Sequence, residues 1–242
     1  MSALLEVHGV SKRFGGLLAV RDVEFAMAEG DLVGLIGPNG AGKTTLFSLL
    51  SGFLHPDGGQ IRFAGVDLTG LTPERRCRLG LTRTFQLVKP FANLTVEENV
   101  MVGAFVRVGT PRAARAEAGR VLALTGLASV ARERARTLPV EQRKRLEVAR
   151  ALATRPRLLL LDEVFAGLNA TEIKGMVEFL RALHAEGMTL LVIEHVMAVI
   201  MRVSQRVIVL HHGEKIAEGA PADIVRNRRV VDAYLGEEFA LA

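Results

Sequence analysis

The sequence predicts an α/β chain built on a doubly wound, largely parallel sheet, with a small antiparallel sheet ahead of it and helices inserted into its middle. Three observations carry this prediction. Residues 32–36, 158–161, 189–193 and 207–210 are continuous apolar runs, the pattern of strands buried on both faces. Residues 44–50, 143–154 and 172–186 fall between those runs with apolar side chains at helical spacing, and strands alternating with helices make an α/β layer structure. Residues 4–10 and 18–27 show strand-like spacing, and residues 60–64 follow the turn Pro56-Asp57-Gly58-Gly59, which together read as an antiparallel set.

Taken in chain order, residues 1–86 and 151–225 are expected to form one core that includes the small β subdomain. Residues 87–150 are rich in Ala, Arg, Glu and Leu and poor in β-branched runs, which predicts an inserted α-helical subdomain. Its first part, residues 90–99, reads as an exposed loop. Residues 226–242 are expected to be a C-terminal helical tail carrying Tyr234-Leu235-Gly236, so that 1–242 is a single domain.

Composition narrows the function classes. With 242 residues, 49% of them hydrophobic, the chain can bury one sizeable core, and 24% charged residues without low-complexity tracts exclude a disordered chain. The most apolar stretch, residues 188–201, is too short for a membrane span and carries Glu194 and His195. The N-terminus shows neither the basic start nor the apolar run of a secretory signal, so a cytoplasmic location is expected. Cys77 is the only cysteine, which rules out an internal disulfide and a zinc cluster. The net charge of +5 arises from 31 basic residues, 25 of them Arg, against 26 acidic ones, in small scattered clusters that read as solvated faces.

The chemistry enters at Gly37-Pro38-Asn39-Gly40-Ala41-Gly42-Lys43-Thr44, followed by Thr45. It matches G-x-x-x-x-G-K-[ST] and sits between a buried strand and a helix, the context that makes a P-loop. Glycines let backbone N–H groups curl around a polyphosphate, and the helix that follows offers its positive end. Lys43 is expected to bridge the β- and γ-phosphates, and the Thr44 hydroxyl to coordinate Mg²⁺.

The motifs that follow resemble those of ABC ATPases, which have a RecA-like P-loop NTPase core. Leu158-Leu159-Leu160-Leu161-Asp162-Glu163 resembles their Walker B element, Ala166-Gly167-Leu168-Asn169 their D-loop, and Ile193-Glu194-His195 their switch histidine. Gln86 in Thr84-Phe85-Gln86 is similar to the glutamine that senses Mg²⁺, and Phe14 to the aromatic residue that stacks on adenine. The resemblance implies an ATPase binding ATP and Mg²⁺. Glu163, His195 and Gln86 would be catalytic, and Thr44, Gln86 and Asp162 would stand at the metal.

Arg83-Thr84-Phe85-Gln86, Asp162-Glu163-Val164-Phe165, Ile193-Glu194-His195-Val196-Met197 and Ala233-Tyr234-Leu235-Gly236 resemble more closely the ATP-binding subunits of branched-chain amino acid transporters, LivG-like members in particular. Urea and short-amide transporters share much of this pattern. The resemblance implies transmembrane permease subunits as partners, a second homologous ATP-binding subunit, an extracytoplasmic substrate-binding protein acting indirectly, no nucleic acid, and a peripheral position on the cytoplasmic face of the inner membrane. The permease contact is expected near Gln86 to Asn99, through Phe91 and Leu94. A soluble non-transport ABC ATPase and a regulatory module without turnover are the competing readings. The absence of a second cassette or basic arms argues against the first, Glu163 and His195 against the second.

One stretch departs from the family pattern. Where the family carries L-S-G-G-Q, this chain has Leu138-Pro139-Val140-Glu141-Gln142. Pro139 lacks both hydroxyl and N–H donor, and a Glu141 carboxylate about 4 Å from phosphate is repelled by roughly 4 kcal/mol at an effective dielectric near 20. That weakens one composite site unless Glu141 turns away. The expectation is a heterodimer in which this signature faces the partner's weaker site, and the alternative, open to a homodimer, is a branch that tolerates a loose signature with both sites working.

Overall fold

Alternation within the apolar runs decides the architecture. The computed structural model describes residues 3–85, 89–194 and 196–240. Strands β1 (Leu5–Phe14), β2 (Leu17–Met27), β4 (Gly58–Phe63) and β5 (Val66–Asp67) form an antiparallel sheet in the order β2-β1-β4-β5. Strands β3 (Leu32–Ile36), β6 (Leu81–Arg83), β7 (Leu158–Asp162), β8 (Thr189–Ile193), β9 (Arg206–His211) and β10 (Glu214–Gly219) form a second sheet in the order β10-β9-β3-β8-β7-β6. Only β10 runs antiparallel there.

Because side chains alternate across a strand, the second sheet supplies two cores. Val33, Leu35, Leu158, Leu160, Leu191, Ile193, Ile208 and Leu210 pack with helix α1 (Lys43–Ser51) and the antiparallel sheet. Leu32, Ile36, Leu159, Leu161, Leu190, Val192, Val207 and Val209 pack with the helices of the other side. Those are α3 (Val96–Ala104), α4 (Pro111–Leu124), α5 (Val140–Leu152), α6 (Ala170–Ala185) and α7 (Met197–Val203). Helices α3 to α5 are the insertion, between the neighbouring strands β6 and β7. Short helices α2 (Pro73–Leu79) and α8 (Pro221–Ile224) and the terminal α9 (Arg228–Ala240) complete the chain.

The expected loop over residues 90–99 is only partly one, because helix α3 starts at Val96. Thr95 caps it: its side chain accepts from the Glu98 N–H while the Glu98 carboxylate accepts from the Thr95 N–H, a capping box that satisfies donors at the helix start. The far end of α1 is closed by Arg76, which is 1% exposed. Its guanidinium donates to the carbonyls of Leu49 and Leu50, the last turn of α1, and to Leu68 and Leu71. A cation on carbonyls that a helix leaves unpaired is the favourable arrangement.

Candidate functional site

Strand β3 runs into the loop 37–42, and α1 begins at Lys43 with Gly42 as its N-cap at φ 98°. A Cβ on Gly42 would strike the Ala19 carbonyl oxygen of β2, and one on Gly37 the Leu210 carbonyl oxygen of β9. Both positions therefore require glycine, because neighbouring backbone comes too close for a side chain. The turn after β9 clamps the loop: Gly213 N donates to the Ala41 carbonyl at 3.1 Å, and Arg21 N to the Gly213 carbonyl at 2.8 Å. The Lys43 ammonium donates to the carbonyls of Gly37 and Pro38 at 2.6 and 2.8 Å, which holds it within the curl of the loop. A cleft of about 400 Å³ opens over it, lined by Phe14, Asn39, Gly40, Ala41, Gly42, Lys43, Thr44, Thr45, Glu163 and His212. Gly37 and Pro38 lie beneath the loop as acceptors for Lys43 rather than in the cleft wall.

Sheet register brings the carboxylates to the same edge. Leu35 of β3 stands opposite Ile193 of β8, and Ile193 opposite Asp162 of β7, so three strands end level beside the loop. Asp162 accepts from the Arg83 guanidinium at 2.7 Å on Oδ2, with both side chains nearly buried, and its backbone N–H donates to Thr84 Oγ1 at 3.1 Å. Glu163 adopts φ 46°, a left-handed conformation held by its N–H donating to the Ile193 carbonyl at 3.1 Å and by Lys144 Nζ donating to its carbonyl at 2.9 Å. Burial pushes the Lys144 pKa down against the pull of Glu194, Glu163, Asp162 and Glu147. Glu194 is fully buried and accepts from the Phe165 N–H at 2.9 Å.

Thr44 borders two spaces. Besides the cleft, it lines a cavity of about 480 Å³ with Asp162, Arg83, Phe85, Glu147 and Arg150. A hydroxyl and a carboxylate there are hard oxygen donors of the kind a small divalent cation takes. Gln86 and His195 lie outside the described residues. Lys144, Arg83 and Arg76 have no role that local sequence patterns assign; Arg83 ends the three-residue strand β6, which is too short to mark its charge as buried.

The departing signature lies at the start of α5, with Pro139 as N-cap. Glu141 is drawn back along the helix, its Oε1 accepting from Arg145 Nε at 2.8 Å. The carboxylate is therefore paired with a cation rather than projecting alone from the helix end.

An apolar groove of about 540 Å³ runs between α1, α2 and α3, lined by Phe53, Cys77, Phe85, Val102, Phe105 and Val106 among others. Phe91 and Leu94 do not line it; the Arg150 guanidinium covers the Phe91 ring at 4.9 Å. No helix among the described residues is long and apolar enough to cross a membrane.

Against known proteins, the ABC transporter family matches residues 20–166, and the branched-chain amino acid ATP-binding cassette transporter family matches residues 214–240. The chain is 41% identical over 252 residues to the high-affinity branched-chain amino acid transport ATP-binding protein BraF of Pseudomonas aeruginosa, covering 97% of this chain and 98% of that one. It is 40% identical over 250 residues to the corresponding LivG of Escherichia coli K12, with the same coverage. Among solved structures, the ADP conformation of an ATP-binding cassette of an ABC transporter superposes with a TM-score of 0.89 at 29% identity, covering 98% of this chain and all of that one.

Proposed function

The chain belongs to the ATP-binding subunits of ABC transporters, nucleotide-binding ATPases, and from that premise we propose that it powers uptake of branched-chain or related amino acids. The cargo rests on the likeness to BraF and LivG, and the ATPase that drives it on the level ending of β3, β8 and β7, which sets the loop around Lys43 beside Asp162 and Glu163. In this reading Phe14 stacks on adenine at one end of the cleft. The N–H groups of 39–45 and the Lys43 ammonium hold the phosphates, and the positive end of α1 adds to the grip. Glu163 orients and polarises the attacking water, and positioned donors stabilise the charge that develops on the phosphoryl oxygens. Gln86 and His195 join it on the motif alone. A bound Mg²⁺ would be held through Thr44 and Asp162 and would supply charge neutralisation to the phosphates.

Two such subunits would close head to tail on ATP, and the movement would pass to permease subunits seated in the apolar groove of Phe53, Phe85 and Phe105, with the chain peripheral on the inner face of the membrane. Lys43→Ala is expected to abolish tight ATP binding, and Glu163→Gln to retain binding while stalling hydrolysis, read by nucleotide titration and phosphate release. Wild-type turnover in either variant refutes the assignment. Leucine uptake by vesicles carrying the chain with its permeases tests the cargo, and uptake of urea or a short amide instead would overturn it.

A further inference from the structure

Arg83 is a charged group that the reaction scheme leaves unused, and it lines both the 480 Å³ cavity beside Thr44 and Asp162 and the apolar groove. It ends β6, and its side chain is 10% exposed, against 5% for Asp162. Nη2 donates to Asp162 Oδ2 at 2.7 Å, while Nη1 reaches Ser48 Oγ at 3.3 Å and Ser51 Oγ at 3.4 Å on α1, the helix that Lys43 and Thr44 begin. The guanidinium also lies over three rings, Phe47, Phe53 and Phe85, at 5.9, 5.9 and 5.3 Å. A planar delocalised cation is the group such a ring box accepts. Phe53 and Phe85 meet edge to face at 5.6 Å and are 53% and 44% exposed, so the rings that grip Arg83 also floor the apolar groove.

We propose that Arg83 is a positioning residue that acts as the resident counter-cation of Asp162 and competes with a divalent metal for that carboxylate. The inference rests on the nucleotide-binding reading above. A buried carboxylate needs a cation, and Arg83 supplies one, which holds Asp162 paired and aimed when no metal is present. A divalent ion that reaches the same carboxylate meets a positive charge already placed on one of its oxygens. Each cation therefore weakens the other, by reciprocal linkage. Phe53 sets the strength of the competition, because loosening the ring box loosens the hold on the guanidinium.

The test is Mn²⁺ titration by electron paramagnetic resonance with a non-hydrolysable ATP analogue, alongside thermal melting in EDTA. Arg83→Gln is expected to bind Mn²⁺ about tenfold more tightly and to melt lower in EDTA, with the melting gap narrowing once Mn²⁺ and the analogue are added. Arg83→Lys, which keeps the charge, is expected to stay within about threefold of wild type. Unchanged or weaker Mn²⁺ binding in Arg83→Gln, or equal behaviour of the Lys and Gln variants, overturns the proposal. If Arg83→Gln does not fold, Phe53→Leu at its exposed position decides: about threefold tighter Mn²⁺ binding supports the competition, and no change overturns it. Failure of the wild type to bind the analogue at all would strike the nucleotide reading, a different result from either.

Discussion

Replacing Lys144 by Met removes a side-chain bond that ties α5 to the backbone of Glu163. That bond, 2.9 Å from Nζ to the Glu163 carbonyl, comes from a buried ammonium, and a charge-assisted bond of this kind contributes about 1.5–3 kcal/mol. Glu163 holds φ 46°, a conformation that costs a residue with a Cβ about 1–2 kcal/mol and persists only while its neighbours fix it. Without Lys144 the peptide relaxes and the carboxylate leaves its place over the cleft. If the lost bond is reflected in full in the barrier, kcat falls about 10- to 100-fold. Lys144 does not line the phosphate cleft, so nucleotide affinity should hold. Phosphate release by the assembled transporter, paired with nucleotide titration of the same variant, separates the two. A kcat within about threefold of wild type, or an affinity that falls by the same factor as kcat, refutes the reasoning. Proton linkage adds a second reading. Because burial lowers the Lys144 pKa below 10.5, wild-type turnover should fall on an alkaline limb below that value, a limb absent in Lys144→Met. For stability the sign reverses: between the lowered value and 10.5 the unfolded chain binds more protons, so the cost of the buried charge is relieved as pH rises through that window.

Arg76→Met removes the guanidinium donor from four carbonyls, of which Leu68 keeps the Leu71 N–H. Burial pushes the Arg76 pKa down to about 10, a desolvation cost of about 3 kcal/mol set against roughly 6 kcal/mol from four charge-assisted bonds. The net loss of about 3 kcal/mol should lower Tm by about 6–12 °C in calorimetry, and saturating nucleotide should restore part of it. Gly42→Ala should lose phosphate binding in a nucleotide titration and about 1–3 kcal/mol of stability in urea, since the new methyl meets the Ala19 carbonyl at φ 98°. In a complex with a homologous partner, Glu163→Gln in this chain should stop more of the ATPase than the same change in the partner, since this chain's Glu163 would serve the site completed by the partner's intact signature. Equal losses would show that Glu141, paired to Arg145, leaves both sites working.

Local patterns fixed what they could by themselves. The runs at 32–36, 158–161, 189–193 and 207–210 announce buried strands because a side chain on either face must be apolar, and the run from Gly37 to Thr44 announces phosphate because glycines at that spacing before a helix curl backbone donors around an anion. Strand β6 has three residues and β10 reads Glu-Lys-Ile-Ala-Glu-Gly, too short or too polar for periodicity to register, so pairing with β7 and β9 alone makes them strands. Thr95 and Glu98 stand at capping-box spacing, the local signal that starts α3 at Val96 inside the stretch read as a loop. What only the tertiary structure decided are the partnerships across long stretches of chain: Arg83 with Asp162, 79 residues apart, Lys144 with the Glu163 carbonyl, and Arg76 with the end of α1. A charge in a sequence carries no record of its partner, because packing chooses that partner when the sheet register and the helix positions bring two ends together and shut out water.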